Sequence, residues 1–88
     1  MEIRINKKFL KELSSIQQRD KIKIERFVFE ESLEFKSLKD VPGLKKLKGH
    51  SHYYRIRLGQ YRAGLKFEDN ILTFERLIHR KDIYKYYP

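Results

Sequence analysis

The chain has 88 residues, of which 40% are hydrophobic, and its formal net charge is +9. This length suits one domain, residues 1–88, with a single modest core. The absence of cysteine excludes disulfides and thiolate metal sites. No signal-peptide block and no apolar run of membrane-spanning length is present, so we expect a cytoplasmic protein that makes no membrane contact.

The positive charge is concentrated in the second half of the chain. Residues 1–42 carry ten Lys/Arg and eight Asp/Glu, whereas residues 43–88 carry eleven and four. A charge concentrated in this way repels itself, and it predicts a polyanionic or acidic partner. The alternative is a basic surface that serves only solubility.

The N-terminal half is predicted to form a strand and two helices. "MEIRI" alternates as a short strand does, and Asn6 is the predicted N-cap of a first helix that turns Phe9 and Leu13 inward. Asp20 is the predicted cap of a second helix that runs to about Phe35. The second helix carries two apolar stripes on nearly opposite sides: Ile24, Phe27 and Val28, and Ile22, Phe29 and Leu33. We expect one stripe to pack on a sheet and the other to need the first helix or a partner chain.

A basic connector, "KDVPGLKKLKGHS", separates the helices from the second half, because Pro42, Gly43 and Gly49 interrupt the helical pattern. From Tyr53 onward the apolar residues alternate with period two, as they do in strands. Gly59-Gln60 predicts a type II′ hairpin turn, and Asp69-Asn70 predicts a second turn.

The last strand, "ILTFERLIHR", is predicted to turn Leu72, Phe74 and Ile78 inward and Leu77 and His79 outward. Arg76 then falls on the apolar side, so either the register drifts or the strand end is exposed. The predicted fold class is α+β: an N-terminal strand and a two-helix hairpin pack on a mostly antiparallel sheet with a C-terminal three-stranded meander. "KDIYKYYP" ends the chain as a short helix or turn.

The outward face of the first hairpin is predicted to hold a group of arginines. A two-residue turn places Arg57 opposite Arg62 and Arg55 opposite Gly64. Glu75 is the one acid within reach, near Arg62 or Lys66, and like charges across a strand pair are unfavourable unless an anion binds between them. The planar guanidinium group matches the hydrogen-bonding geometry of a phosphate. Because Gly64 has no side chain, we also expect a ligand to be able to approach the backbone there. The alternative is that the long side chains simply extend into water.

Aromatic residues follow this cluster. Tyr84, Tyr86 and Tyr87 end the chain, and we expect two of the three to pack and one to stack on an unpaired RNA base. His79 is predicted on the same face as Arg62, where it could transfer protons or stack.

Several catalytic arrangements have no counterpart in the sequence. No cluster has metal-ligand spacing, no glycine-rich phosphate loop opens a helix, and no serine or cysteine nucleophile arrangement is visible. We therefore predict no metal and no cofactor. Attack of an RNA 2′-hydroxyl on the adjacent phosphate suits a cationic site, since the substrate supplies the nucleophile and arginines stabilise the transition-state charge.

"VPGLKKLKGHSHYYRIRLGQYRAGLKF" followed by "LIHRKDIY" resembles the RelE/ParE superfamily of toxin–antitoxin toxins, specifically its RelE-like mRNA interferase branch. The resemblance spans nearly the whole chain. It implies a RelE-like fold, binding to the ribosomal A site, metal-independent endonuclease cleavage of mRNA there, and a cognate antitoxin partner in a heteromeric complex.

The resemblance also implies roles for individual residues. Arg55 and Arg57 match the two basic residues of the first hairpin strand, and Arg62 matches the phosphate-binding arginine. Arg80 matches the arginine at the leaving 5′-oxygen, and Tyr84 the base-stacking tyrosine. Because Arg55 and Arg57 replace lysines of the family, the proton acceptor stays open between His79 and no protein base. Further RNA contacts are predicted at Lys46, Lys48 and His79.

Two other functions remain open at the level of sequence. The same scaffold serves ParE-like toxins that inhibit DNA gyrase, and a non-catalytic RNA- or ribosome-binding module would keep the basic surface without cleavage. For the antitoxin we expect an acidic, partly disordered segment that folds over the helical or basic surface.

Overall fold

The computed structural model describes residues 1–88 and confirms the predicted α+β order, with one additional strand. The elements are β1 (Glu2–Ile5), α1 (Lys7–Ser14), α2 (Gln18–Phe29), β2 (Lys45–Lys46), β3 (Tyr53–Leu58), β4 (Tyr61–Glu68), β5 (Ile71–His79) and α3 (Ile83–Tyr86). Short 3-10 turns at Glu31–Glu34 and Leu38–Asp40 follow α2. None of the helices has the length and apolar character needed to span a membrane.

The strands form one five-stranded sheet in the order β1-β5-β4-β3-β2. β1 runs parallel to β5, and every other neighbouring pair is antiparallel. The basic connector is therefore not merely a linker, because its Lys45 and Lys46 form β2 and pair with the start of β3. A two-residue strand carries too little period-two pattern to be recognised from sequence.

The second helix ends earlier than predicted. α2 stops at Phe29, and its N-cap is Gln17, with Asp20 inside the first turn. Glu30, Glu31 and Glu34 follow at the C-terminal end, where negative charge opposes the helix dipole, so the chain tightens into a 3-10 turn. Asn6 is the N-cap of α1 as predicted, although its side chain makes no capping hydrogen bond.

The main core lies between the helices and one face of the sheet. α1 contributes Phe9 and Leu13, and α2 buries the predicted stripe of Ile24, Phe27 and Val28. The second predicted stripe is not covered by α1: Ile22 and Phe29 of α2 and Leu33 of the following 3-10 turn are exposed, Leu33 by 73%.

Both predicted hairpin turns are present, and their backbone φ angles identify the turn types. Gly59 has φ +63° and is the only central residue of its turn with positive φ, as type II′ requires. Asp69 and Asn70 have φ of 54° and 61°, as type I′ requires at both central positions. The first turn fixes the predicted register, with Arg57 opposite Arg62 and Arg55 opposite Gly64.

A β-bulge in β5 changes the face on which the following residues lie. The register shifts between Gly64, which pairs with Arg76, and Leu65, which pairs with Phe74, so Glu75 is the extra residue. Leu77 is consequently buried in the main core, although it was predicted to face outward. Ile78 and His79 also exchange faces relative to the prediction, Ile78 becoming the residue opposite Arg62. Of the two explanations given for Arg76, a drift in register or an exposed strand end, the drift in register is therefore the correct one.

Glu12 of α1 binds the bulge. Its carboxylate lies 2.9 Å from Nη2 of Arg76 and accepts a 2.9 Å hydrogen bond from the backbone N–H of Leu77. The carboxylate therefore bonds both a side chain and a backbone N–H at the bulge, where the regular ladder is interrupted. Helix α1 is thereby fastened to β5.

A second, smaller apolar cluster lies on the outer face of the sheet, the face opposite α1 and α2. It contains Leu47, Ile78, Ile83 and Tyr87, with Tyr53 packed against it. Helix α3 therefore folds back over the outer face. This packing places the C-terminal residues next to the arginines of the first hairpin.

Candidate functional site

Four arginines lie together at the turn between β3 and β4, and we call them the arginine cluster: Arg55, Arg57, Arg62 and Arg80. Arg57 and Arg62 are directly paired across the hairpin. The three ion pairs of the chain join other residues, so none of these guanidinium groups has a carboxylate within 4.0 Å. Glu75, predicted to reach Arg62 or Lys66, instead accepts a 2.8 Å hydrogen bond from the Tyr87 hydroxyl, and Lys66 pairs with Glu68.

Arg62 is held at the centre of the cluster by the backbone. Its Nη1 donates to the carbonyl oxygens of Gly59, at 3.1 Å, and of Tyr61, at 3.0 Å. Partial desolvation lowers the pKa of Arg62, and the positive charges of its neighbours Arg57, Arg55 and Arg80 lower it further. Arginine remains cationic at neutral pH, so this repulsion persists in the folded chain and a bound anion would relieve it.

Arg80 joins the cluster through the backbone at the end of β5. Its N–H donates a 2.9 Å hydrogen bond to the carbonyl oxygen of Gln60 in the hairpin turn. This bond ties the end of the last strand to the first turn. Two segments that are far apart in sequence thus hold their arginines at one place.

Tyr84 stands exposed beside the cluster. Its side chain is 70% exposed, and the guanidinium carbon of Arg55 lies 6.0 Å from the ring centroid. Tyr86 is also exposed, whereas only Tyr87 is buried, so one of the three C-terminal tyrosines packs and not two as predicted. An exposed ring among cations is suited to stacking on an unpaired base.

Tyr87 covers Gly64, which is therefore not an opening for a ligand as the sequence suggested. A Cβ built on Gly64 would lie 2.7 Å from Cδ2 of the Tyr87 ring. Burial of the hydroxyl and then its hydrogen bond to Glu75 raise the pKa of Tyr87, so it stays a neutral donor. Glycine is required at position 64 because the ring of Tyr87, the residue that follows α3, occupies the space above β4.

We expect Gly64→Ala to lower the free energy of unfolding by about 1–3 kcal/mol, because the new methyl group overlaps the Tyr87 ring and forces it off the sheet. Urea denaturation measures this change. The same substitution in a Tyr87→Leu background should cost much less, because the smaller side chain leaves room. Equal costs in the two backgrounds would contradict the proposed overlap.

Three residues predicted to contact RNA lie apart from the arginine cluster. Lys46 pairs with Tyr54 and therefore lies on the face opposite Arg55. His79 pairs with Tyr61, and the centroids of their rings are 5.6 Å apart. His79 therefore lies on the face opposite Arg62, and its predicted placement on the same face as Arg62 is wrong. Lys48 lies in the exposed turn between β2 and β3. Their roles toward RNA stay predictions.

Other cations lie closer to the cluster than sequence reasoning indicated. Lys45 pairs with Arg55 across β2 and β3 and so lies on the outer face. Arg19 and Lys23 of α2 line a cleft together with Arg57 and Arg80. The i, i+4 spacing of Arg19 and Lys23 places them on one helix face, but nothing in the local sequence relates that face to the hairpin turn.

Known proteins show the same fold. No family model matches the chain. Toxin RelE3 of Methanocaldococcus jannaschii is 37% identical over 89 residues, which cover 100% of both chains. A chain of the RelB-RelE antitoxin–toxin complex from Methanococcus jannaschii has a TM-score of 0.77 and 36% identity, covering 97% of this chain and 99% of that one. The archaeal RelE-RelB complex from Pyrococcus horikoshii has a TM-score of 0.64 and 26% identity, covering 90% and 93%.

The first two of these relatives cover 97% or more of both chains, so the similarity extends over the segments that carry the arginine cluster. A relative of this identity and coverage shows the family as well as the fold. The chain therefore belongs to the RelE family of toxins of type II toxin–antitoxin systems.

Proposed function

We propose that this toxin is a ribosome-dependent mRNA endonuclease. The observation that carries the proposal is the arginine cluster, in which four guanidinium groups without carboxylate partners meet at one hairpin turn beside an exposed tyrosine. Such a site binds a phosphodiester and stabilises additional negative charge on it. Membership of a family of ribosome-dependent endoribonucleases supports the same assignment.

In the proposed reaction the nucleophile belongs to the substrate. The 2′-oxygen of the RNA attacks the adjacent phosphorus, the bond to the 5′-oxygen breaks, and a 2′,3′-cyclic phosphate and a 5′-hydroxyl result. The proton of the 2′-hydroxyl leaves to a base, and the 5′-oxygen gains a proton. Arg62 and Arg57 are placed to stabilise the charge on the phosphate, and Arg80 to stabilise the leaving oxygen.

The identity of the proton acceptor is constrained by the bulge. Because His79 lies beside Tyr61 on the opposite face, it does not point toward the phosphate position between Arg57 and Arg62. We therefore propose that His79 does not act as the base and that solvent or a ribosomal group accepts the proton.

Primer extension on cellular mRNA after brief induction tests the proposal. We expect cuts within translated regions for the wild-type chain and none for the Arg62→Ala/Arg80→Ala double variant. Intact mRNA with arrested growth would contradict the proposal and direct attention to gyrase, which a supercoiling assay examines. Ribosome binding without cuts or arrest would indicate a non-catalytic module.

We also propose that an antitoxin covers part of this chain, as RelB does in the crystallised complexes of its relatives. The exposed apolar side chains of Ile22, Phe29 and Leu33, together with the net charge of +9, suit an acidic amphipathic segment. Co-expression with the cognate antitoxin followed by co-purification tests this. Aggregation without a stable complex would contradict it.

Tyr84→Ala should weaken binding of the substrate RNA by roughly 5- to 150-fold, because a base–aromatic stack contributes about 1–3 kcal/mol. Tyr84→Phe should keep most of the affinity, since the ring face is retained. Tyr86→Ala is the matched control, because Tyr86 is also exposed, by 59%, but does not form the cation–π contact with Arg55 that Tyr84 forms. Equal losses for Tyr84→Ala and Tyr86→Ala in an anisotropy titration would refute the stacking role.

A further inference from the structure

A polar cleft of about 420 Å³ lies between the start of α2 and the turn that joins β3 to β4. Its lining residues are Arg19, Asp20, Lys23, Arg57, Gly59, Gln60 and Arg80. Four of these are cations and one is a carboxylate. None of the cations takes part in the three ion pairs of the chain, so the cleft holds a surplus of unpaired positive charge.

The walls of this cleft are fixed by the fold. Gly59 has φ +63° in the type II′ turn, and a Cβ on it would lie 3.9 Å from Oδ1 of Asp20, so the turn and α2 are in close proximity. The N–H of Arg80 is bonded to the carbonyl oxygen of Gln60 at 2.9 Å. The cations therefore surround a preformed space and are not brought together only by flexible side chains.

The cleft is continuous with the arginine cluster, because Arg57 and Arg80 belong to both. An RNA strand bound at the arginine cluster would extend through the cleft toward α2. Arginine and lysine are the side chains that most often bind phosphate oxygens, arginine through its planar fork and lysine as a compact charge. We favour an RNA phosphate over an acidic protein segment because the cleft adjoins the cluster that we propose binds a phosphodiester.

We propose that the cleft binds a second phosphodiester group of RNA, outside the reacting phosphate, through Arg19 and Lys23. This proposal rests on the proposed function, because it takes RNA as the ligand of the cluster. The phosphate belongs either to the mRNA strand or to ribosomal RNA, and both present the same group.

Fluorescence anisotropy with a labelled single-stranded RNA that is fully 2′-O-methylated tests the proposal on the intact chain. The Arg19→Gln/Lys23→Gln variant should bind about tenfold more weakly than wild type, and the slope of log Kd against log salt should fall by about 0.7 for each phosphate that the variant no longer neutralises. Lys7→Gln/Lys8→Gln is the control, since these exposed lysines of α1 change the net charge equally but do not line the cleft. Arg19→Lys/Lys23→Arg should keep the affinity.

Cosedimentation with mRNA-programmed ribosomes distinguishes the source of the phosphate. Weaker binding in both assays supports an mRNA phosphate, and weaker binding to ribosomes alone supports a ribosomal RNA phosphate. If the cleft variant matches the control in both assays, the proposal is overturned, and weakened antitoxin binding in that case would assign the cleft to the antitoxin. Because the methylated RNA cannot be cleaved, this result is independent of whether the wild-type chain cuts mRNA.

Discussion

Arg62→Ala is expected to lower the rate of mRNA cleavage at least about 100-fold while leaving the folded chain as stable as wild type. Removing one preorganised charge from a site that stabilises a developing anion typically costs a factor of 10² to 10³ in rate. The stability of the folded chain should not fall in the same way, because the neighbouring arginines repel Arg62. Its only hydrogen-bond acceptors are two backbone carbonyl oxygens at the exposed turn. Arg62 is thus expected to be needed for cleavage although the charges of its neighbouring arginines repel it in the folded chain.

Single-turnover cleavage on programmed ribosomes measures the rate, and thermal unfolding measures the stability. Arg26→Ala is the matched control, because Arg26 is an exposed arginine of α2 that belongs neither to an ion pair nor to the cleft. Its rate should stay within about twofold of wild type if net charge alone matters little. A small change in rate for Arg62→Ala, or a loss explained by unfolding, would rule out the proposed role.

Glu12→Ala is expected to lower the free energy of unfolding by about 2–3 kcal/mol. The carboxylate accepts hydrogen bonds from Nε and Nη2 of Arg76 and from the backbone N–H of Leu77. Both side chains of the ion pair are only 23% exposed, so water replaces the missing partner incompletely. The substitution leaves a half-buried guanidinium and an unpaired N–H at the bulge.

Urea denaturation of Glu12→Ala beside Glu30→Ala tests this expectation, because Glu30 is an exposed glutamate outside any ion pair. Glu30→Ala should change stability by less than about 0.5 kcal/mol. The double variant Glu12→Ala/Arg76→Leu should recover part of the loss, since no charge is then left without a partner. Equal effects at positions 12 and 30 would show that the carboxylate of Glu12 does not hold the bulge.

The first hairpin illustrates how far local patterns reach. The period-two alternation after Tyr53 and the Gly59-Gln60 turn are local properties, and together they predicted the opposition of Arg57 and Arg62 that the structure confirms. The buried stripe of α2 was predictable for the same reason, since helical periodicity depends only on neighbouring turns.

The errors concern partners that are distant in sequence. His79 was placed on the wrong face because a bulge shifts the register before it, and the carboxylate that binds this bulge, Glu12, lies 64 and 65 residues from its partners Arg76 and Leu77. Gly64 was assigned to a ligand because the ring that covers it comes from Tyr87. Arg19 and Lys23 were overlooked because helix α2 meets the hairpin turn only in the folded chain.

By itself, the sequence determined the α+β order, the register of the first hairpin and the concentration of arginines on one of its faces, because turn type, periodicity and charge are set by adjacent residues. Only the tertiary structure decided which residues after the bulge face outward, which C-terminal tyrosine stands beside Arg55, and which helix extends the cationic surface. These features depend on packing and hydrogen bonds between segments far apart in the chain, and no local pattern records which segments will meet.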